Sequence, residues 1–337
     1  MTEGVKINGK QRDVVLDCLK GFAIFLVLWG HCIQYLSSTH YSQQPMYRII
    51  YSFHMPLFMA LVGYFASSLL NINSLFRIFW KKFRQLLLPA ISFIALLCIT
   101  DIYPTNGFIH GIKHIVIDLW FLKSAFICTL LFYISAKNKK YRTIGIILSL
   151  ILSQFIILWY YQINIMYPCF ILGFLLHEYR KKIEAYSTKI LIVSGILMIL
   201  LLIPWDARFW EMPSLSLKIS SPEFNEYWSK TLYRLFIGIN GTVLFFTLFV
   251  SLADKIIPEK IKISLQSLGM MTLGIYLIQA LLVERIMADV LNFDGVDPVV
   301  FNFILTPLLA LVALSMCVAL VKLMQQSTIC SRLFLGK

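Results

Sequence analysis

The stretch Val14-Val15-Leu16-Asp17-Cys18-Leu19-Lys20-Gly21-Phe22-Ala23-Ile24-Phe25-Leu26-Val27-Leu28-Trp29-Gly30-His31-Cys32-Ile33-Gln34-Tyr35-Leu36 decides the fold. It is apolar enough, and at 1.5 Å per residue long enough, to cross about 30 Å of hydrocarbon. Asp17 and Lys20 interrupt it and no small-residue cleavage site follows, so it reads as a retained membrane helix rather than a removed leader. Ionisable side chains inside such a run are costly and mark function by default. The same stretch therefore sets both the architecture and the place to look for chemistry.

Outward from this helix, nine more runs of roughly 16 to 25 residues follow, each near the length needed to span a bilayer. The ten fall at 14–36, 46–70, 84–103, 116–136, 143–160, 163–178, 188–204, 232–252, 264–286 and 299–323. Of the 337 residues 59% are hydrophobic and 14% charged, and the mean hydropathy is +0.77. A soluble domain cannot hide that much apolar surface, so lipid must solvate most of it. Dense apolar runs exclude a membrane barrel, whose strands alternate. The predicted fold is all-α and polytopic, with about ten transmembrane helices.

Lys and Arg orient it. Lys6, Lys10 and Arg12, the 77–84 and 137–142 clusters, Arg180 to Lys189, Lys255 to Lys262, and Lys322, Arg332 and Lys337 all fall on one side. They hold 21 of the 30 basic residues, which makes both termini cytoplasmic. The net charge of +13 is thus topological, with attraction to anionic lipid, and does not indicate nucleic acid. The division expected is a cytoplasmic tail 1–13, one membrane domain 14–323 and a cytoplasmic tail 324–337. The one long outer loop, 205–231, carries Trp205, Trp210, Tyr227 and Trp228 among acids. It reads as an interfacial aromatic belt or a face for stacking sugars. The seven cysteines form no CxxC pair and mostly sit in apolar runs, against a disulfide framework or a metal site.

Asp17, Lys20, His31 and Gln34 share one face of the first helix. With Lys20 at zero they lie at about +60°, 0°, +20° and −40°, with Trp29 opposite. Lys20 is near the cytoplasmic end and His31 eleven residues further out, about 16 Å. A cation at the inner mouth and an imidazole across the membrane suit a long donor with an anionic head, the shape of an acyl-CoA. Each residue also has a structural reading: Lys20 as a snorkelling cation, His31 as an interhelical hydrogen-bond donor. On the second helix, Ser52-Phe53-His54-Met55-Pro56-Leu57-Phe58 puts His54 at a depth like that of His31, as a structural or a catalytic group. On the third, Lys81 and Arg84 lie one turn apart at the cytoplasmic mouth, an arrangement that suits phosphate.

Together these segments resemble the acyltransferase 3 family of integral-membrane acyltransferases. The carrying residues are Leu16-Asp17-Cys18-Leu19-Lys20-Gly21 with His31, the Ser52–Gly63 stretch, and Lys81-x-x-Arg84 followed by Leu-Leu-Leu-Pro. Leu119-Trp120-Phe121-Leu122 and Leu273-Gly274-Ile275-Tyr276-Leu277-Ile278 are weaker matches. The resemblance implies transfer of an acyl group, usually acetyl, from cytoplasmic acetyl-CoA to a sugar hydroxyl. The acceptor would be a surface polysaccharide or a lipid-linked glycan, and the setting the bacterial inner membrane. It makes His31 the catalytic histidine and Lys20 and Arg84 essential cations, with Lys81 where relatives often carry arginine. One departure stands out: many relatives have histidine where this chain has Gln279, which cannot shuttle a proton near neutral pH.

Neutral imidazole is the usual base for a hydroxyl, so His31 is expected to deprotonate the acceptor; a covalent acyl-histidine is the rival route. Asp17 is too far along the helix to orient it. Asp118 and Glu284, near the outer ends of the fourth and ninth helices, lie at the right depth. No permanently bound cofactor and no metal is expected. Two other classes fit the composition: a transporter or flippase of a lipid-linked sugar, and a non-catalytic membrane scaffold or sensor.

Overall fold

The computed structural model describes residues 6–7, 10–11, 13–36, 41–99, 114–156, 161–205 and 221–337. Among them the chain is helical apart from a two-residue pairing of Lys6–Ile7 with Lys10–Gln11. The helices are α1 (Val14–Tyr35), α2 (Pro45–Tyr64), α3 (Leu75–Ile99), α4 (Trp120–Ala136), α5 (Arg142–Ser153), α6 (Ile163–Glu178), α7 (Arg180–Ala185), α8 (Ser187–Leu202), α9 (Pro222–Ile256), α10 (Glu259–Val290), α11 (Pro298–Gln326) and α12 (Thr328–Phe334). Six of them, α1, α2, α3, α9, α10 and α11, are long and apolar enough to cross a membrane, and α4, α5, α6 and α8 are shorter apolar helices. The protein is a multi-pass membrane protein.

Local chemistry explains the starts. The Asp13 side chain caps α1 by accepting from the Leu16 amide at 3.2 Å, and α2 opens with Pro45, whose missing N–H costs nothing there. Arg180 of α7 reaches back to Asp13 and to the Tyr64 hydroxyl. Burial opposes the Arg180 charge, but bonding to Asp13 and Tyr64 outweighs it and raises the pKa above the ordinary guanidinium value.

Several boundaries differ from the sequence expectation. Helix α3 begins at Leu75, not 84, because its first turns mix Lys and Arg with Phe and Trp and average out as neither apolar nor polar. Helix α4 begins at Trp120, since Leu119 has a left-handed φ of 53° and ends the preceding turn. Helix α5 stops at Ser153, and α9 starts at Pro222, ten residues early, absorbing the end of the expected outer loop. Trp210, with the rest of 206–220, lies outside the described residues.

Helix α1 is the axis. It packs along α10 and also touches α2, α9 and α11. It is therefore buried nearly all round: Trp29, opposite the polar face, donates to Thr306 of α11 at 3.0 Å. Two helix pairs meet backbone to backbone from both sides. A Cβ on Gly21 would sit 2.0 Å from the Leu265 carbonyl oxygen, and one on Gly269 1.9 Å from that of Asp17, so α1 and α10 touch reciprocally. Gly63 against Phe170 and Gly173 against Ala60 do the same for α2 and α6. Lipid supplies no hydrophobic force between helices, so such small-residue seams are what allow dispersion contacts to form.

Among the described residues three helices contain a π turn: Phe83–Leu87 in α3, Leu282–Met287 in α10 and Phe301–Leu305 in α11. Each inserts a residue into the α pattern and changes which side chains share a face beyond it.

Candidate functional site

Two cavities between the central helices hold residues that the sequence singles out. The larger, about 550 Å³, is polar and brings together His31, His54, Asp118, Glu284 and Gln279. The smaller, about 260 Å³, has mostly apolar walls with two cations, Lys20 and Lys82. The shared polar face of α1 is thus divided, with His31 and Gln34 in one cavity and Lys20 in the other.

In the polar cavity, His31 Nδ1 stands 3.4 Å from Glu284 Oε1, an ion-pair distance rather than a formed hydrogen bond, and the nitrogen is buried without a hydrogen-bond partner among the described residues. The His31 ring lies parallel to Tyr35 with centroids 5.7 Å apart. Glu284 belongs to the π turn of α10, and this sets its direction. On a regular helix Gln279 and Glu284 would point about 140° apart; here Gln279 Nε2 donates to Glu284 Oε1 at 3.0 Å. Glutamine therefore braces the carboxylate that faces His31. Its own amide oxygen is buried and has no hydrogen-bond partner among the described residues, on a side chain that borders the cavity.

His54 is 1% exposed, and its Nδ1 meets the Ile50 carbonyl oxygen at 2.8 Å. A carbonyl only accepts, so Nδ1 carries the proton and Nε2 is the basic nitrogen. Tyr51 lies between the two histidines, its centroid 6.5 Å from His31 and 4.5 Å from His54. Its hydroxyl donates to Gln34 at 2.7 Å.

Asp118 lies in the turn before α4, not on the helix. It accepts from His114 Nδ1 at 2.9 Å. Lys123, 8% exposed, donates to the carbonyls of Val116 and Asp118 and pins that turn. Leu119 and Gln162 are the two non-glycine residues with left-handed backbone among those described, and both line this cavity. Such strain persists only where surrounding contacts impose it, and it concentrates at functional sites.

At the other cavity, Lys20 Nζ pairs with Asp17 at 3.0 Å and stands 4.5 Å over the Phe65 ring. Lys82, not Lys81 or Arg84, lines this space. Lys81 and Arg84 are exposed on the same segment, with the Arg84 guanidinium 5.6 Å over Trp80. Lys82, Lys123 and Tyr51 were passed over in the sequence. Lys123 carried a usable signal, an ionisable side chain within an apolar run. The aromatic loop reads differently too: Trp205 and Tyr227 are buried, Trp205 stacking on Tyr233 and Tyr227 accepting from Asn164 at 3.1 Å. Tyrosines of α1 and α2 line the polar cavity instead.

No solved structure matches the chain. Similar proteins include two named nodulation protein NolL. That of Sinorhizobium fredii is 29% identical over 204 residues, 57% of this chain and 55% of the relative. That of Mesorhizobium japonicum is 33% identical over 130 residues, 36% of this chain and 35% of the relative. The chain therefore spans about half the length of the first and a third of the second. The family model described as acyltransferase domain matches residues 13–322, taking in every helix from α1 to most of α11. The chain belongs to the acyltransferase 3 family.

Proposed function

We propose that this protein moves a short acyl group, acetyl in the first instance, from cytoplasmic acyl-CoA to a hydroxyl of a cell-surface or lipid-linked sugar at the bacterial inner membrane. In this reading the six long and four shorter apolar helices make ten crossings of a single domain, with both termini cytoplasmic, as the basic loops favour. The observation that carries the proposal is the His31–Glu284 contact at 3.4 Å inside a polar cavity of about 550 Å³.

The apolar cavity suits the pantetheine arm and acyl group. Lys82 at its wall, with Lys81 and Arg84 alongside, suits the phosphates, as a lysine point charge and an arginine fork do. Lys20, tied to Asp17, holds a fixed charge at the same mouth. In the polar cavity, Glu284 closes on His31 and accepts a hydrogen bond from its Nδ1–H, which stays on the ring and leaves Nε2 as the base. Nε2 takes the proton of the sugar hydroxyl as its oxygen attacks the thioester carbon. The new C–O bond forms, the C–S bond breaks, and the imidazolium returns its proton to the departing sulfur as CoA thiol. The unpartnered Gln279 oxygen suits an acceptor hydroxyl.

Purified protein in nanodiscs is expected to bind acetyl-CoA and to release CoA thiol when candidate glycans are added. Glycan movement across the bilayer with no CoA consumed would replace this reading with a transporter. The two carboxylates should separate as well. Glu284→Gln is expected to lower turnover about 10- to 100-fold, by analogy with lost second-sphere support of a working histidine, and Asp118→Asn less than Glu284→Gln. Wild-type rates in both variants would remove the carboxylates from the mechanism.

A further inference from the structure

The two cavities have common walls. Met55 and Tyr276 line both the apolar cavity and the polar one. Each is tied at once to the reacting groups: Met55 follows His54 directly, and Tyr276 is one turn before Gln279, which braces Glu284. On the apolar side the partition is backed by rings. Tyr276 meets Phe121 edge-on with centroids 6.1 Å apart, and Phe121 meets Phe58 edge-on at 6.0 Å. Phe58 and Phe121 belong to the apolar cavity alone, while Glu284 and Asp118 belong to the polar one alone.

We propose that Met55 and Tyr276 form an aperture through which the acyl thioester reaches His31, and that this aperture restricts transfer to acyl groups of two or three carbons. The proposal rests on the donor and acceptor reading given above. Its physical basis is the contrast between the two sides. A long acyl chain is at home among Ile24, Val27, Phe58 and Phe121, and loses that burial as it passes toward carboxylates, imidazoles and amides. An acetyl group has almost nothing to lose and needs the least opening between a thioether and a phenol ring. Met55 is unbranched and able to yield, Tyr276 is held against Phe121, and so Met55 is the adjustable edge.

The test uses inside-out membrane vesicles from the organism that makes the protein, so that the natural acceptor is present. Vesicles carrying wild type, Met55→Ala, Tyr276→Ala, Met55→Phe or Tyr276→Phe are supplied with acetyl-, propionyl-, butyryl- or hexanoyl-CoA, and CoA thiol release is followed. Met55→Ala and Tyr276→Ala are expected to raise the hexanoyl-to-acetyl rate ratio by about tenfold or more, the scale on which pockets discriminate methylenes. Tyr276→Phe, which keeps the ring, should hold the wild-type ratio. Met55→Phe narrows the opening and should lower the propionyl-to-acetyl ratio, which keeps the idea testable if an alanine variant misfolds. Acetyl-CoA binding to each purified variant reports on its fold. Ratios unmoved in variants that still bind acetyl-CoA would overturn the aperture and leave the acyltransferase reading intact. No thiol release from any donor by wild-type vesicles would instead remove the donor reading itself.

Discussion

Replacing His31 with alanine is expected to lower acyl transfer about 10²- to 10⁴-fold, the usual contribution of a positioned general base, while acetyl-CoA binding stays within about twofold. The separation follows from position. His31 faces Glu284 in the polar cavity, whereas Lys20 and Lys82 lie at the apolar one, and eleven residues of α1, about 16 Å, separate His31 from Lys20. His54 is expected not to take its place, because the Glu284 carboxylate stands at the His31 ring while His54 Nδ1 is held by the neutral Ile50 carbonyl. The cavity left by the lost ring should accept free imidazole, so added imidazole is expected to restore part of the rate in His31→Ala. The check is single-turnover CoA release beside equilibrium acetyl-CoA binding. Wild-type turnover in His31→Ala would reassign the base. Loss of binding alone would place His31 in the donor site.

The largest effect on stability is expected at the α2–α6 seam. A Cβ on Gly173 would lie 1.8 Å from the Ala60 carbonyl oxygen, and one on Gly63 1.9 Å from that of Phe170. No side-chain rotation relieves a clash with backbone, so the helices must part. Gly173→Val is expected to cost about 3 kcal/mol or more, the upper end of overpacking, and to yield little monodisperse protein. Even the protein that folds should turn over slowly, since α2 carries Tyr51, His54 and Met55 on the wall of the polar cavity, and an ångström of misplacement can cost about 10²-fold. Gly195→Ala is the control: nothing lies within 4 Å of its added Cβ. Thermal melts in detergent read by size exclusion decide the matter, and a wild-type melt for Gly173→Val would show that the seam is slack.

The architecture was legible because membrane crossing is a demand on composition, and because Asp17, Lys20, His31 and Gln34 keep to one face of a regular helix. The same periodicity failed where the helix was not regular. The Phe83–Leu87 turn follows directly on Lys82, so spacing along α3 pointed to Lys81 and Arg84 while Lys82 meets the cavity. Hydropathy missed the first turns of α3 and α9, because amphipathic and acid–aromatic stretches look like loops to an average. Depth alone placed Asp118 and Glu284 as equals; only the fold distinguishes the one facing His31 from the one held by His114. Trp205 and Tyr227, at the described ends of the aromatic stretch, are buried because Trp and Tyr serve burial as readily as recognition, and Trp205 is 1% exposed.

The π turn at Leu282–Met287 also bears on how this chain is to be compared with others. One surplus residue shifts the phase of everything after it by about 100°. A relative with a plain α-helix here would present to its histidine a side chain one position away from the column that Glu284 occupies. Matching letters column by column would then pair this half-buried carboxylate with a residue that points away from the histidine and report the acid as lost. The carboxylate has to be sought by its distance from the imidazole, with a one-residue gap allowed between Gln279 and Glu284.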